Sequence, residues 1–302
     1  MRLTVHFALI AGIVASAATS ADAATDPPRL LRFPAISASA IVFNYAGDLW
    51  KVPREGGEAS RLTAGVGVET LPSFSPDGTQ IAFTGEYDGN ADVYVVSVDG
   101  GDPRRLTYHP GADVVEGWTP DGRAILFASS RVSHSSYDRL FTVPVDGGFE
   151  EPLPMPMAER GSYAAAAGRI AYNPVRNLWT EATWRHYRGG QEPFVWLFDF
   201  KTQDIEAVPH ENASDTWPMW IGDVVYFVSD RDGTMNLFGY DTRSKQVRQL
   251  TRHTDFDIKS ASTGTGVVGC SISQRHWRTI RSTGSAAASA SRASRGVRSG
   301  PR

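Results

Sequence analysis

The residues best placed to do chemistry stand between Thr84 and Gly101, in the stretch TGEYDGNADVYVVSVDGG. Asp88, Asn90 and Asp92 occupy alternate positions, and Asp99 follows eleven residues after Asp88. Oxygen ligands at positions 1, 3 and 5 with an acid at position 12 form the pattern of a calcium loop. That loop also wants glycine at position 6 for its sharp turn, and here position 6 is Val93, inside a run of strand formers. Two readings stand. In one, short polar side chains bond to nearby amides and start a strand. In the other, an adventitious cation sits on Asp88 and Asp92.

Other chemistry is harder to place. A nucleophilic site needs a Ser, a base and an orienting acid together, but there is no G-x-S-x-G elbow. His109, His134, His186, His210 and His253 are scattered, and none recurs beside a Ser in a recognisable pattern. Neither H-E-x-x-H nor C-x-x-C is present, nor a Walker loop or a Rossmann glycine pattern. No catalytic, metal or cofactor-binding residue is therefore assigned. Asn212–Ser214 matches a three-residue glycosylation sequon. One segment stands out by charge: Trp184 to Gln191, WRHYRGGQ, places Trp184, Arg185, Tyr187 and Arg188 in an otherwise acidic body. It reads either as a solvated loop or as a basic rim touching another domain or an acidic peptide end.

The elements that would position these residues come from a repeat. RLT ends at Thr63 and again at Thr107, and QLT ends at Thr251; PLP at 152–154 and AVP at 207–209 are weaker versions. The middle residues Leu62, Leu106, Leu153, Val208 and Leu250 lie 44, 47, 55 and 42 residues apart. Each marker closes a unit of the form strand, turn, strand, loop, strand, turn, strand, with PDG in the first turn of two units and DGG in the second turn of the same two. Pro presets φ, Asp forms a side-chain turn and Gly accepts positive φ. Four short strands in about 40 residues are the unit of a β-propeller blade. The expected fold is an all-β propeller over residues 30–269. Blades lie at about 33–63, 72–107, 115–154, 160–209 and 217–251, with an incomplete sixth at 256–269.

The repeat bears on the candidate residues. Asp48, Asp92, Asp138 and Asn236 fall at one position, before an aromatic-bearing strand. Asp77 and Asp121 share the PDG turn, and Asp99 and Asp146 share the DGG turn. Repetition at turns points to folding chemistry. Trp50, Tyr94, Phe141, Trp196 and Phe238 sit on similar strands and are expected to pack between blades.

Composition fits: 41% hydrophobic, 11% aromatic, 29 Gly and 18 Pro suit a cored protein of many short strands. Residues 1–23 read as a signal peptide, with Arg2, the short apolar run LIAGIVASAA and a small-x-small site at Ala21–Ala23. Nothing later is long and apolar enough to span a membrane, so a periplasmic or secreted protein is expected. Cys270 is the lone cysteine, which excludes an internal disulfide. The net charge is −3, but residues 271–302 hold seven Arg and no Lys, Asp or Glu, leaving −10 on residues 1–270. An acidic body argues against general nucleic-acid binding. Residues 270–302, rich in Ser, Ala, Arg and Gly, are expected to be disordered.

The repeats resemble the WD-like repeats of TolB-like propellers. The run from Phe33 to Lys259 is more similar to the N-terminal six-bladed propeller of tricorn-type serine peptidases, through YAGDLW, FTGEYDGNADVYV, RRLTYHPG, GWTPDGR, WRHYRGG, WPMW, FVSDRDGTMNLF and LTRHTDFDIKS. That resemblance implies a propeller that admits or releases peptides through its axial channel. A second propeller, a PDZ domain and catalytic subdomains would follow it. No residue here matches the catalytic part, so the chain is expected to be inactive alone. After residue 259 the pattern departs, as a truncated or frameshifted chain would, or one with a genuine basic tail. A ring short of a blade would expose sheet edges and be poorly stable. Three functions compete: the gating propeller of such a peptidase, with peptides and the C-terminal PDZ and catalytic domains as partners; a stand-alone TolB-like scaffold for envelope proteins; and a propeller with its own hydrolytic or metal site.

Overall fold

The structure, a computed structural model, describes residues 31–132, 137–175, 187–264, 267–272 and 276–281, with side chains up to residue 264. The first sheet contains β1 (Arg32–Ile36), β2 (Ala40–Tyr45), β3 (Asp48–Pro53) and β4 (Ser60–Arg61). The second holds β5 (Val68–Phe74), β6 (Gln80–Glu86), β7 (Ala91–Ser97) and β8 (Arg104–Arg105). The third holds β9 (Asp113–Trp118), β10 (Ala124–Ser129), β11 (Arg139–Pro144) and β12 (Glu151–Pro152). The fourth holds β13 (Arg160–Tyr163), β14 (Arg169–Asn173), β15 (Trp196–Asp199) and β16 (Ile205–Ala207). The fifth holds β17 (Asp215–Ile221), β18 (Val224–Ser229), β19 (Asn236–Asp241) and β20 (Gln246–Gln249). A sixth sheet has three strands, β21 (Ile258–Gly264), β22 (Val267–Ile272) and β23 (His276–Arg281). Every sheet is an antiparallel meander in chain order, and no described helix is long and apolar enough to cross a membrane.

The first strand of each sheet packs on the first strand of the next, and β21 packs back on β1. The result is a propeller of five four-stranded blades whose ring is completed by the three-stranded sheet. The core lies between blades. Val42 and Leu49 of the first sheet pack with Ile81, Phe83 and Tyr94 of the second. Equivalent clusters join the later pairs, with Phe141, Trp196 and Phe238 in three of them. Trp50 lies on the face of the first sheet that carries Ile36, Ile41 and Phe43. Tyr94, Phe141, Trp196 and Phe238 therefore pack between blades, as large rings between twisted sheets should, while Trp50 packs with residues of its own sheet.

The turns obey the residues that form them. Ser75 Oγ donates to Asp77 Oδ1 at 2.6 Å, the Thr79 amide donates to the same oxygen at 3.0 Å, and Gly78 takes φ +74°. Asp121 repeats this with Thr119 and Arg123. These bonds favour the ionised form and hold both carboxyls below the usual range.

Three sequence boundaries move. Blades two and five were read as starting at 72 and 217, but their inner strands begin at Val68 and Asp215. Pro72 and Pro218 sit inside strands rather than before them. The sheet also runs past 269, where order was expected to end: β22 crosses that boundary and β23 covers HWRTIR. Trp277, Thr279 and Ile280 supply strand formers among the arginines. The gap expected in the ring is filled, because Gly264 lies against the Ile36 carbonyl so closely that a Cβ would sit 1.6 Å from its oxygen.

Candidate functional site

The calcium pattern comes apart in three dimensions. Asp88 precedes β7 and Asp99 follows it, so the seven residues of the strand hold them roughly 20 Å apart at about 3.3 Å per residue. Asp92 is buried, with one oxygen 2.6 Å from Arg105 Nη2 and the other accepting Thr107 Oγ1 at 3.3 Å. Asn90 donates to the His109 carbonyl at 2.7 Å. Burial raises the Asp92 carboxyl, opposed by the Arg105 charge. Asp99 points to solvent, 3.8 Å from Lys51. Among the described residues no group of three His, Cys, Asp or Glu side chains could hold a metal ion.

This geometry explains the RLT marker. Thr107 Oγ1 accepts the Val93 amide at 3.0 Å, Thr63 Oγ1 accepts the Leu49 amide at 3.0 Å, and Thr251 Oγ1 accepts the Leu237 amide at 2.9 Å. Arg61 pairs with Asp48 at 2.8 Å as Arg105 does with Asp92. Arg, Leu and Thr thus pin the fourth strand to the start of the third. A second repeating acid follows each marker: Glu69, Asp113, Glu159, Asp215 and Asp257. The first four are buried, and each lies at or just before an inner strand. Glu69 accepts the Leu49 amide of the preceding blade at 2.9 Å, and Asp257 accepts the Met235 amide of its preceding blade at 3.1 Å.

Of the basic segment, Trp184 and Arg185 lie outside the described residues. Arg188 points inward, its guanidinium forked onto Asp230 at 3.0 and 3.1 Å and 3.4 Å from Glu192. Tyr187 gives its carbonyl to Arg188. His134 and His186 also fall outside the description. His210 Nδ1 lies 3.0 Å from the buried Asp215, which Arg231 also contacts at 2.8 Å. The bond to Asp215 raises the His210 pKa against the pull of desolvation. The sequon residue Asn212 lies on the connector into β17 with φ +46°.

The feature built by all six sheets together is the axial cavity, about 530 Å³ in volume and lined only by inner strands and the turns that follow them. Its wall is nearly uncharged. Asp77, Glu116 and Arg160 are the Asp, Glu, Lys or Arg side chains on it, and it holds no His or Cys. Arg160 of β13 lies 3.5 Å above the Trp217 ring of β17 and 3.7 Å from Glu116 of β9, with both charged side chains nearly buried. Three blades are therefore joined across the wall by one cation. Burial holds the Tyr163 phenol neutral, with its pKa at about 12.

The wall carries a second repeat that sequence reading missed. In β1, β5 and β17 an apolar residue with positive φ precedes a proline: Phe33 (47°) and Pro34, Leu71 (51°) and Pro72, Trp217 (56°) and Pro218. Each pair forms a bulge in the pairing with the second strand. Positive φ is costly for a bulky residue, about 1–3 kcal/mol each. Its recurrence at one level of three blades marks a built feature. The signal was an apolar-Pro dipeptide at one repeat position.

Residues 28–268 match the family described as the tricorn protease N-terminal beta propeller domain. Tricorn protease homolog 1 of Streptomyces coelicolor is 32% identical over 259 residues, which cover 82% of this chain and 23% of that protein. The tricorn protease homolog of Saccharolobus solfataricus is 29% identical over 238 residues, covering 76% and 21%. The chain thus spans less than a quarter of the length of these relatives. A crystal structure of the tricorn protease superposes with a TM-score of 0.72 at 24% identity, over 84% of this chain and 25% of that one. A putative TolB from Agrobacterium tumefaciens gives 0.61 at 19% identity, over 74% and 81%, a likeness of fold. With the matched residues spanning every blade and every wall of the axial cavity, the chain belongs to the tricorn protease N-terminal β-propeller family.

Proposed function

We propose that this chain is the substrate-gating propeller of a tricorn-like serine peptidase, passing peptides along its axis to or from the catalytic part of such a peptidase. The observation that carries the reading is the axial cavity, bounded by all six sheets and nearly free of charge. Its volume falls in the range of small-ligand sites, enough for a few residues of extended chain. In this reading the three-stranded sheet is the incomplete sixth blade, which closes the ring without a fourth strand among the described residues. The partners are peptides and the PDZ and catalytic domains of the peptidase. Export by way of residues 1–23 to the periplasm or the medium belongs to the same proposal.

The test is photo-crosslinking with a benzophenone-bearing decapeptide. Crosslinks are expected on β5, β9, β13 and β17 residues that line the cavity, with no hydrolysis of the peptide by this chain. Crosslinks confined to the outer strands would overturn the channel and favour a scaffold for envelope proteins. Peptide cleavage abolished by a serine-directed inhibitor would show a catalytic site within the chain.

A further inference from the structure

The cavity wall is made of strand edges. Each of β1, β5, β9, β13, β17 and β21 pairs on one side only, so its other edge faces the channel. Free strand edges bind extended peptides by adding them as a further strand, with main-chain hydrogen bonds supplying the affinity. A channel of six such edges would hold a peptide rather than pass it.

Here the edges are disarmed. Pro34, Pro72 and Pro218 remove an amide from β1, β5 and β17, and the bulge beside each bends the strand. The same three strands have a backbone group occupied by a neighbouring blade. Ser262 Oγ donates to the Pro34 carbonyl, Trp118 Nε1 donates to the Ser73 carbonyl at 3.0 Å, and the Trp220 amide donates to Ser162 Oγ at 2.9 Å. Strands β9 and β21 also pair through a register shift. Only β13, four residues long, pairs regularly. Beside the hydroxyls of its serines and threonines, what the wall offers in place of main-chain groups is apolar: Phe33, Leu71 and Trp217 at the bulges, with the one cation already held by Glu116 and Trp217.

We infer that the channel recognises extended peptides through uncharged, apolar side chains at a collar formed by Phe33, Leu71 and Trp217, and is blind to the peptide backbone. The inference rests on the reading of the cavity as a peptide channel and names what that channel accepts. A charged side chain at the collar leaves water for a wall whose buried cation is already held and whose exposed carboxylate, Asp77, is bonded within its own turn, a cost that disfavours it. A backbone without main-chain contacts slides from one position to the next.

The test uses the full chain and fluorescein-labelled Gly-Gly-Leu-Phe-Gly-Gly, read by anisotropy. Three analogues are compared: one N-methylated at Leu and Phe, one with Asp at both positions and one with Lys at both. N-methylation removes two amide donors and is expected to change Kd less than about threefold, since no net hydrogen bond is lost. Asp or Lys is expected to weaken binding at least about tenfold, the equivalent of 1.4 kcal/mol. Leu71→Asn and Phe33→Asn should each weaken the parent peptide by about tenfold, the scale of burying one apolar side chain, while Asn keeps the positive φ. Loss of binding on N-methylation, or equal binding of the charged analogues, overturns this inference and leaves the channel standing. Failure of every peptide to bind overturns both.

Discussion

Replacing Thr107 by Val keeps the shape of the side chain and removes its hydroxyl. Thr107 is fully buried, and its Oγ1 accepts the Val93 amide at 3.0 Å while donating to Asp92 Oδ1 at 3.3 Å. The substitution strands a buried amide and withdraws one donor from a buried carboxylate. Each lost partner costs about 1–3 kcal/mol, because the group left behind stays desolvated. Arg105 still holds Asp92 at 2.6 Å, so the amide dominates and the lower half of that range applies, about 1–2 kcal/mol in all. At about 2–4 °C per kcal/mol for a domain of this size, Tm falls by about 2–8 °C. The repeat supplies its own replicates. Thr251→Val breaks the same bond to Leu237 and is expected to fall in the same range, and Thr63→Val breaks the one to Leu49. The Leu49 amide keeps its second acceptor, Glu69 at 2.9 Å, so Thr63→Val should be the mildest of the three. Thermal unfolding by far-ultraviolet circular dichroism, with urea melts to extract free energies, measures all three. Three variants within 0.5 kcal/mol of the parent, an interval typical of surface substitutions, would falsify the view that RLT is a clamp.

Arg188→Gln removes the fork onto Asp230 and is expected to destabilise by about 1–3 kcal/mol, reduced from the fully buried case because the guanidinium is 27% exposed. A urea midpoint unchanged from the parent would assign Arg188 to solvent. His210 has a folded pKa raised above its ordinary 6.5, so its stabilising contribution is complete below that value and fades as pH rises through the folded value. Stability measured between about pH 6 and pH 8.5 should therefore decline less steeply in His210→Gln than in the parent, and identical slopes would remove His210 from the linkage. Gly264→Ala places a Cβ 1.6 Å from the Ile36 carbonyl oxygen and must open the seam between β21 and β1. Faster proteolysis and oligomers on size-exclusion chromatography are expected, and an unaltered monomer would show that the seam bears no load.

The blades were legible because turn chemistry repeats. PDG, DGG and the marker triplets are local signals, and each sits where its hydrogen bonds require. The calcium candidate dissolved for the same reason, since its counterparts showed a strand start. What escaped was long-range. Leu71-Pro72 and Trp217-Pro218 read as boundaries, because proline ordinarily ends a strand. They are interior here because the missing amide faces a channel, which no local pattern reveals. The buried acids Glu69, Asp113 and Asp215 each stand six residues after a marker and were open to discovery, but their partners lie in other blades or loops. Arg188 read as part of a solvated loop or a basic rim because Asp230, its partner, is 42 residues away. The strands beyond 269 were hidden by an arginine-rich composition.

The contact of Ser262 with the Pro34 carbonyl spans 228 residues of sequence. Its consequence is temporal. Closing a loop of that length costs entropy on the order of 5 kcal/mol beyond a constant, and nothing on β1 repays it until β21 exists. The early blades can stack one on another as they emerge, but the first must wait for the last. Folding of this chain should be governed by a late, end-to-end docking event, slow in the manner of high-contact-order β proteins. Until that event the unpaired face of the first sheet, with Ile36, Ile41 and Phe43 on it, is where a chaperone or a neighbouring chain would bind.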